Sequence, residues 1–118
     1  MNKREYGAEG ERAARDFLVA SGYRILAMNY RRPCGEIDII ARKRGVTAFV
    51  EVKRRSSGRF GRPAEAVTPA KRQHIMRAAM VYMQENDMQD AAMRFDIIEL
   101  TGADIRHIEN AFDATGLW

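Results

Sequence analysis

Apolar and polar residues recur along the chain with the spacing of two helices. From Lys3 to Ser21, small and apolar residues return every three or four positions, and Gly22 marks a natural stop. A second helix is predicted after Thr68, a suitable N-cap, with Pro69 at the first helical position. The first predicted apolar stripe contains Tyr6, Gly10, Ala13, Ala14, Phe17 and Leu18, and the second contains Ile75, Met76, Ala79, Tyr82 and Met83.

Five further segments are rich in β-branched and aromatic residues and are predicted to be strands, at 23–30, 36–43, 46–54, 93–100 and 104–112. The second and third are joined tightly at Arg44-Gly45, whereas residues 55–67 are rich in Gly, Ser and Arg and are predicted to form a loop. The resulting order is α-β-β-β-α-β-β. It predicts a single α/β domain over residues 1–118, with a central mixed β-sheet flanked by helices.

Composition and cysteine content favour a protein of the cytoplasm. With 118 residues, 46% hydrophobic and 31% charged, the chain resembles an ordinary globular domain with a real core. Its one cysteine, Cys34, has no partner for an internal disulfide, which suits a reducing compartment. The first residues lack the apolar stretch of a signal peptide, and no apolar run approaches a membrane span. We therefore expect a cytoplasmic protein without a membrane partner.

Positive charge is concentrated in one stretch of the chain. Eight basic residues and one acid lie between Lys53 and Arg77, which leaves 12 basic and 15 acidic residues elsewhere out of totals of 20 and 16. A localised basic segment is typical of proteins that bind a phosphate backbone. A solvated loop and helix face is the alternative interpretation.

Acidic residues interrupt the two strands of the predicted hairpin. If the chain turns through Arg44-Gly45, counting outward places Asp38 opposite Glu51 on one face of the sheet. A four-residue loop gives the same register, while a three-residue loop would reverse the faces. The predicted facing pairs are Ile40 with Phe49, Asp38 with Glu51, and Glu36 with Lys53.

Two carboxylates placed so close together repel each other and need a proton, a lysine or a metal cation between them. Mg²⁺ prefers carboxylate oxygens and keeps several waters, and Lys53 lies two residues beyond Glu51 on the same face. The pattern predicts a site where a water attacks an anionic substrate with the help of a metal ion. The neighbouring basic segment suggests a phosphate. A surface hairpin carrying exposed salt bridges is the alternative interpretation.

Four stretches together resemble the YraN-type family of uncharacterised bacterial proteins. They are "GAEGERAARDFL", "GEIDIIA", "FVEVKRR" and "FGRPAEAVTPAKRQHI", and the resemblance extends from Tyr6 to Phe112. That family belongs to the PD-(D/E)XK nuclease superfamily, which includes restriction endonucleases and Holliday-junction resolvases. The resemblance therefore implies a restriction endonuclease-like core.

The resemblance also implies roles for individual residues. Asp38 and Glu51 would bind Mg²⁺ or Mn²⁺, and Lys53 would orient the attacking water and stabilise charge on the phosphate. Glu11 stands where related nucleases often carry an additional acid. Ile37 departs from the superfamily pattern, which has proline before the first acid.

These observations lead to a metal-dependent endonuclease or nuclease-like protein that hydrolyses DNA phosphodiesters, with branched or structured DNA as candidate substrates. A non-catalytic DNA-binding module is the main alternative, and a protein-interaction domain using the Met-rich second helix is a third. Related nucleases often work as dimers, so a homodimer is one expected state. His74 and His107 lack metal-ligand spacing. The predicted nucleic-acid contacts are Arg54, Arg55, Arg59, Arg62, Lys71 and Gln73, with Lys71 assigned to a backbone phosphate.

Overall fold

The elements follow the predicted order in the computed structural model, which describes residues 2–55 and 67–113. The fold class, a central mixed sheet flanked by helices, is confirmed. The predicted loop at 55–67 lies almost wholly outside the described residues. In chain order the elements are α1 (Lys3–Ala20), β1 (Arg24–Arg32), β2 (Gly35–Lys43), β3 (Val46–Arg55), α2 (Pro69–Glu85), β4 (Ala92–Thr101) and β5 (Asp104–Phe112).

The five strands lie side by side in the order β1-β2-β3-β4-β5. Neighbouring strands are antiparallel except β3 and β4, which are parallel. A parallel pair needs a crossover connection, and the segment containing α2 supplies it. Because a crossover helix runs back along the sheet, α2 begins near the end of β3.

The hairpin between β2 and β3 has the predicted turn and register. Arg44 and Gly45 both have positive φ, 51° and 79°, as a two-residue hairpin turn of the favoured twist requires. Pairing runs from Lys43–Val46 through Ile40–Phe49 and ends at Ile39–Val50. The predicted strand pairs Asp38–Glu51 and Glu36–Lys53 are therefore wrong, although the charge of Glu51 still acts on Asp38. Beyond Ile39 the first part of β2 pairs only with β1, where Glu36 lies opposite Arg31 and forms an ion pair at 3.2 Å.

Both faces of the sheet are buried, each against one helix. Ile40, Phe49 and Ile97 pack beneath α2. Ile39 and Val50, on the opposite face, pack beneath α1. Strands buried on both sides read as nearly continuous apolar runs, which is why charged residues inside β2 and β3 require an explanation.

The helices agree with most of their predicted features. Ala14 and Leu18 of α1 are fully buried, but Tyr6 and Ala13 of its predicted stripe are exposed. Tyr6 instead presents its ring to the guanidinium of Arg54, 3.9 Å from the ring centroid. In α2 the predicted stripe is buried throughout. No helix in the described parts of the chain has the length and apolar character to cross a membrane.

The N-terminal turn of α2 is held in two ways. The Thr68 hydroxyl accepts a hydrogen bond from the backbone N–H of Lys71 at 3.2 Å, and Pro69 occupies the first helical position, both as predicted. Gly35 at the start of β2 touches the backbone of α2 directly. A Cβ atom at Gly35 would lie 2.3 Å from the carbonyl oxygen of His74, so only glycine allows this approach.

A buried ionic cluster joins β4 and β5 on the α1 side of the sheet. Asp96 is completely buried and accepts hydrogen bonds from Arg94 at 2.9 Å and from the backbone N–H of Asn110 at 3.0 Å. The Nε2 atom of His107 lies 2.8 Å from its other oxygen. Burial alone would raise the pKa of Asp96, but the hydrogen bonds from His107, Arg94 and Asn110 lower it overall. The cluster therefore has a structural role.

Candidate active site

Asp38 lies at the point where β2 separates from β3. It is the first residue beyond the last pair of the hairpin, Ile39–Val50. Its Oδ2 atom accepts a hydrogen bond from the backbone N–H of Val52 at 2.8 Å. The carboxyl group thus takes the place that a strand carbonyl would occupy, which satisfies a β3 amide and directs the side chain toward β3.

Glu51 is nearly inaccessible, with 4% of its surface exposed. Its Oε1 atom lies 3.5 Å from Nζ of Lys53 and 2.5 Å from Nζ of Lys71. One lysine comes from the same strand and the other from the first turn of α2. A buried carboxylate without compensation would be costly, and here two ammonium groups supply it.

The Asp38 carboxyl group is close enough to Glu51 for that charge to act on its protonation. Burial, followed by the negative charge of Glu51, raises the pKa of Asp38 from 3.8 to about 8. The hydrogen bond from Val52 acts in the opposite direction, and the charge of Glu11 adds a smaller increase. Asp38 therefore holds a proton near neutral pH when no metal ion is bound.

The lysine of α2 is perturbed by the same group. Burial would lower the pKa of Lys71, but its hydrogen bond with Glu51 and the charge of that carboxylate raise it overall. Contact with Lys53 and the charge of Asp38 act in the same direction. Lys71 is thus held as an ammonium in contact with Glu51.

The donor set suits a hard divalent cation. Two carboxyl groups that share one site require positive charge, and the raised pKa of Asp38 shows that a proton meets this need when no metal ion does. Across residues 2–55 and 67–113 there is no group of three or more His, Cys, Asp or Glu side chains placed to hold a metal. Asp38 and Glu51 are thus two carboxyl groups, and an ion held by them would need waters for its other ligands, as Mg²⁺ commonly does.

Glu11 lies in the vicinity of the carboxyl pair but outside that donor set. It is half-buried on α1, the helix on the opposite face of the sheet from α2. Its charge acts on Asp38. The expectation that Glu11 is an additional acid of the site, in contact with a metal through water rather than as a ligand, stays a prediction.

The arginines expected to contact nucleic acid have partners within the protein. Arg54 donates to the carbonyl oxygen of Tyr6 at 2.8 Å and pairs with Glu9 at 3.4 Å. Arg55 pairs with Glu99 at 3.1 Å. Both side chains thus fasten β3 to neighbouring elements, and a nucleic acid would have to compete with these contacts. Arg59 and Arg62 lie outside the described residues.

Lys71 and Gln73 lie on the first turns of α2, where both side chains are partly buried. The direct contact of Lys71 with Glu51 is the feature that sequence reasoning missed. The order β-α-β contained the signal, because the helix that follows a parallel strand begins beside the end of that strand, where ligand sites of such sheets lie.

A cleft of about 620 Å³ opens beside the carboxyl pair. Lys71 connects the cleft with the carboxyl pair, because its ammonium contacts Glu51 and its side chain also lines the cleft. Arg31, Arg32 and the acid Glu36 also line the cleft. The cleft thus combines space and positive charge next to the acids.

The fold and this site define a class of α/β protein in which two carboxyl groups from inside adjacent strands meet lysines of β3 and of the first turn of α2. A family model described as "Uncharacterised protein family UPF0102" matches residues 10–100. A UPF0102 protein of Desulfosudis oleivorans is 44% identical over 117 residues, which covers 97% of this chain and 95% of the relative. One from Symbiobacterium thermophilum is 47% identical over 116 residues, covering 94% and 98%.

The chain belongs to the UPF0102 family. This confirms the predicted YraN-type resemblance. The family description and the names of these relatives state no activity, so the function is argued from the site.

Proposed function

We propose that this protein is a metal-dependent endonuclease that hydrolyses DNA phosphodiesters. The observation that supports the proposal is the convergence of Asp38 and Glu51, which lie inside β2 and β3, with Lys53 and Lys71. Mutually repelling acids inside a sheet are costly to maintain, and functional sites are where such pairs persist. The neighbouring cleft and its arginines favour an anionic substrate.

Each residue of the site has a task in such a reaction. Asp38 and Glu51 would hold one Mg²⁺ or Mn²⁺, which would supply positive charge to polarise a phosphoryl oxygen. Lys53 orients the attacking water and stabilises the negative charge that develops on the phosphate. Lys71 contacts a backbone phosphate from the side of the cleft. Contacts of this kind read backbone and shape rather than base sequence.

The test is a cleavage panel of duplex, single-stranded and four-way-junction DNA in Mg²⁺ and in Mn²⁺. The wild type should cut at least one of these substrates. Asp38→Asn should reduce the rate by about 100-fold or more, in line with the loss of a group that stabilises transition-state charge. Asp90→Asn is the matched control, since it makes the same chemical change at an exposed acid that does not line the cleft and should cut like the parent.

Two results would contradict the proposal. One is a wild type that cuts no substrate in either metal, and the other is an Asp38→Asn variant as active as the parent. If the wild type binds DNA in a salt-dependent manner without cutting it, and Asp38→Asn binds equally well, the protein is the non-catalytic binding module instead.

A further inference from the structure

Lys71 occupies the position where a divalent cation would neutralise Glu51. Its ammonium lies 2.5 Å from Oε1 of Glu51, and that of Lys53 lies 3.5 Å from the same atom. Glu51 therefore already faces two ammonium groups, while Asp38 holds a proton near neutral pH. A divalent ion added to this set would meet uncompensated positive charge, so the arrangement opposes its entry.

Of the two lysines, Lys71 is the one that solvent and a ligand can reach more easily. Its side chain is 40% exposed, compared with 26% for Lys53. The two ammonium groups contact the same oxygen atom and repel each other, which weakens the hold on each. A lysine has a flexible four-carbon stem and can move its charge several ångströms without a change in the backbone.

The cleft offers Lys71 a second position. Arg31 and Arg32, which also line the cleft, are each paired with an acid, Glu36 at 3.2 Å and Glu85 at 3.0 Å. A phosphate that enters the cleft would have to break a surface ion pair to bind Arg31 or Arg32. To bind Lys71, it would instead have to draw the ammonium away from Glu51. Movement of Lys71 onto the phosphate would uncover the carboxyl pair.

We propose that Lys71 is a tethered counter-ion that excludes the divalent cation from Glu51 until a nucleic-acid phosphate draws it into the cleft. This inference rests on the proposed nuclease function and adds a regulation to it. Metal uptake and substrate binding become coupled, because each requires Lys71 to leave the same oxygen atom. The free protein then holds metal weakly, and the protein with DNA holds it more tightly.

The test is Mn²⁺ uptake, measured by calorimetry and by the loss of the free-ion paramagnetic resonance signal. Lys71→Met should bind Mn²⁺ about tenfold more tightly than the wild type, the effect expected of one unit charge on a nearby divalent ion. Lys71→Arg, which keeps the charge, should bind as weakly as the wild type. Arg77→Met is the matched control, since it removes an exposed positive charge from the same helix and should leave uptake unchanged.

A second titration measures the coupling. A short oligothymidylate with phosphorothioate linkages, which slow hydrolysis, should increase the Mn²⁺ affinity of the wild type to near that of Lys71→Met. It should change the affinity of Lys71→Met much less. Thermal melting of each variant confirms that it is folded.

The outcomes separate this inference from the proposed function. If wild type and Lys71→Met take up Mn²⁺ with equal affinity, or the oligonucleotide strengthens both equally, the role of Lys71 is wrong while the nuclease proposal stands. If neither protein takes up Mn²⁺ with or without the oligonucleotide, both are wrong.

Discussion

Replacing Asp38 by asparagine should stabilise the metal-free protein at high pH. The folded chain keeps the Asp38 proton up to about pH 8, whereas the unfolded chain loses it near 3.8. Stability from this group is therefore complete below the unfolded pKa and is lost as pH rises through the folded one. Asparagine stays neutral throughout, and its side-chain oxygen can still accept the Val52 hydrogen bond.

The size of the effect follows from the separation of the two pKa values. Between about pH 5 and pH 9 the full difference would amount to about 4 kcal/mol, at about 1.4 kcal/mol for each pKa unit. Lys71 is near enough for the charge of Asp38 to act on it, so its ammonium lessens the cost of ionising Asp38, and we expect about half of this difference, about 2 kcal/mol. For a chain of 118 residues that corresponds to a difference of about 8 °C in melting temperature.

The assay is thermal unfolding by circular dichroism, with EDTA present, across this pH range. The melting temperature of Asp38→Asn relative to the wild type should increase by about 8 °C between the two ends of the range. Glu36→Gln, in the same strand but exposed, should follow the wild type at every pH. Parallel curves for wild type and Asp38→Asn would refute the reasoning, because they would show that burial and Glu51 do not act on the Asp38 carboxyl group.

Two further predictions concern the scaffold. Gly35→Ala should lower the free energy of unfolding, measured in urea, by about 1–3 kcal/mol, because its Cβ would meet the His74 carbonyl. Gly7→Ala, at a helical position with open space around it, should raise the free energy of unfolding by about 0.5–1 kcal/mol. Equal effects would contradict the packing argument. Asp96→Asn should cost about 3–5 kcal/mol at neutral pH by leaving Arg94 without its buried partner. Because the pKa of Asp96 is lowered, the stability difference between the wild type and Asp96→Asn should shrink as the solution becomes strongly acidic. An equal difference at acidic and neutral pH would contradict the assigned role of the Asp96 carboxylate.

Most of the fold could be predicted because local signals agree with the final structure. The turn at Arg44-Gly45 fixes the hairpin register from Lys43–Val46 to Ile39–Val50, as the sequence predicts. The pairing stops at Ile39, however, which alternation alone could not indicate. The separation of β2 from β3 depends on the packing of both strands against other elements.

The charged residues were harder to interpret, because a count of charges does not identify their partners. Arg54 reads as a free cation in the sequence, yet it is fastened to α1 through the carbonyl oxygen and ring of Tyr6. Tyr6 is exposed in spite of its place on the apolar stripe for the same reason. Lys71 contacts Glu51 only because the crossover returns α2 to the end of β3, a relation between segments 20 residues apart in the chain.

The hairpin turn also limits how the chain between the two acids can vary in length. Inserting one residue at Arg44-Gly45 would shift the count by one and turn Asp38 or Glu51 to the opposite surface, while inserting two could preserve the meeting of the acids. We therefore expect the turn to tolerate insertions of an even number of residues better than insertions of an odd number. The hairpin turn thus limits which insertions natural or engineered variants can carry while Asp38 and Glu51 still meet.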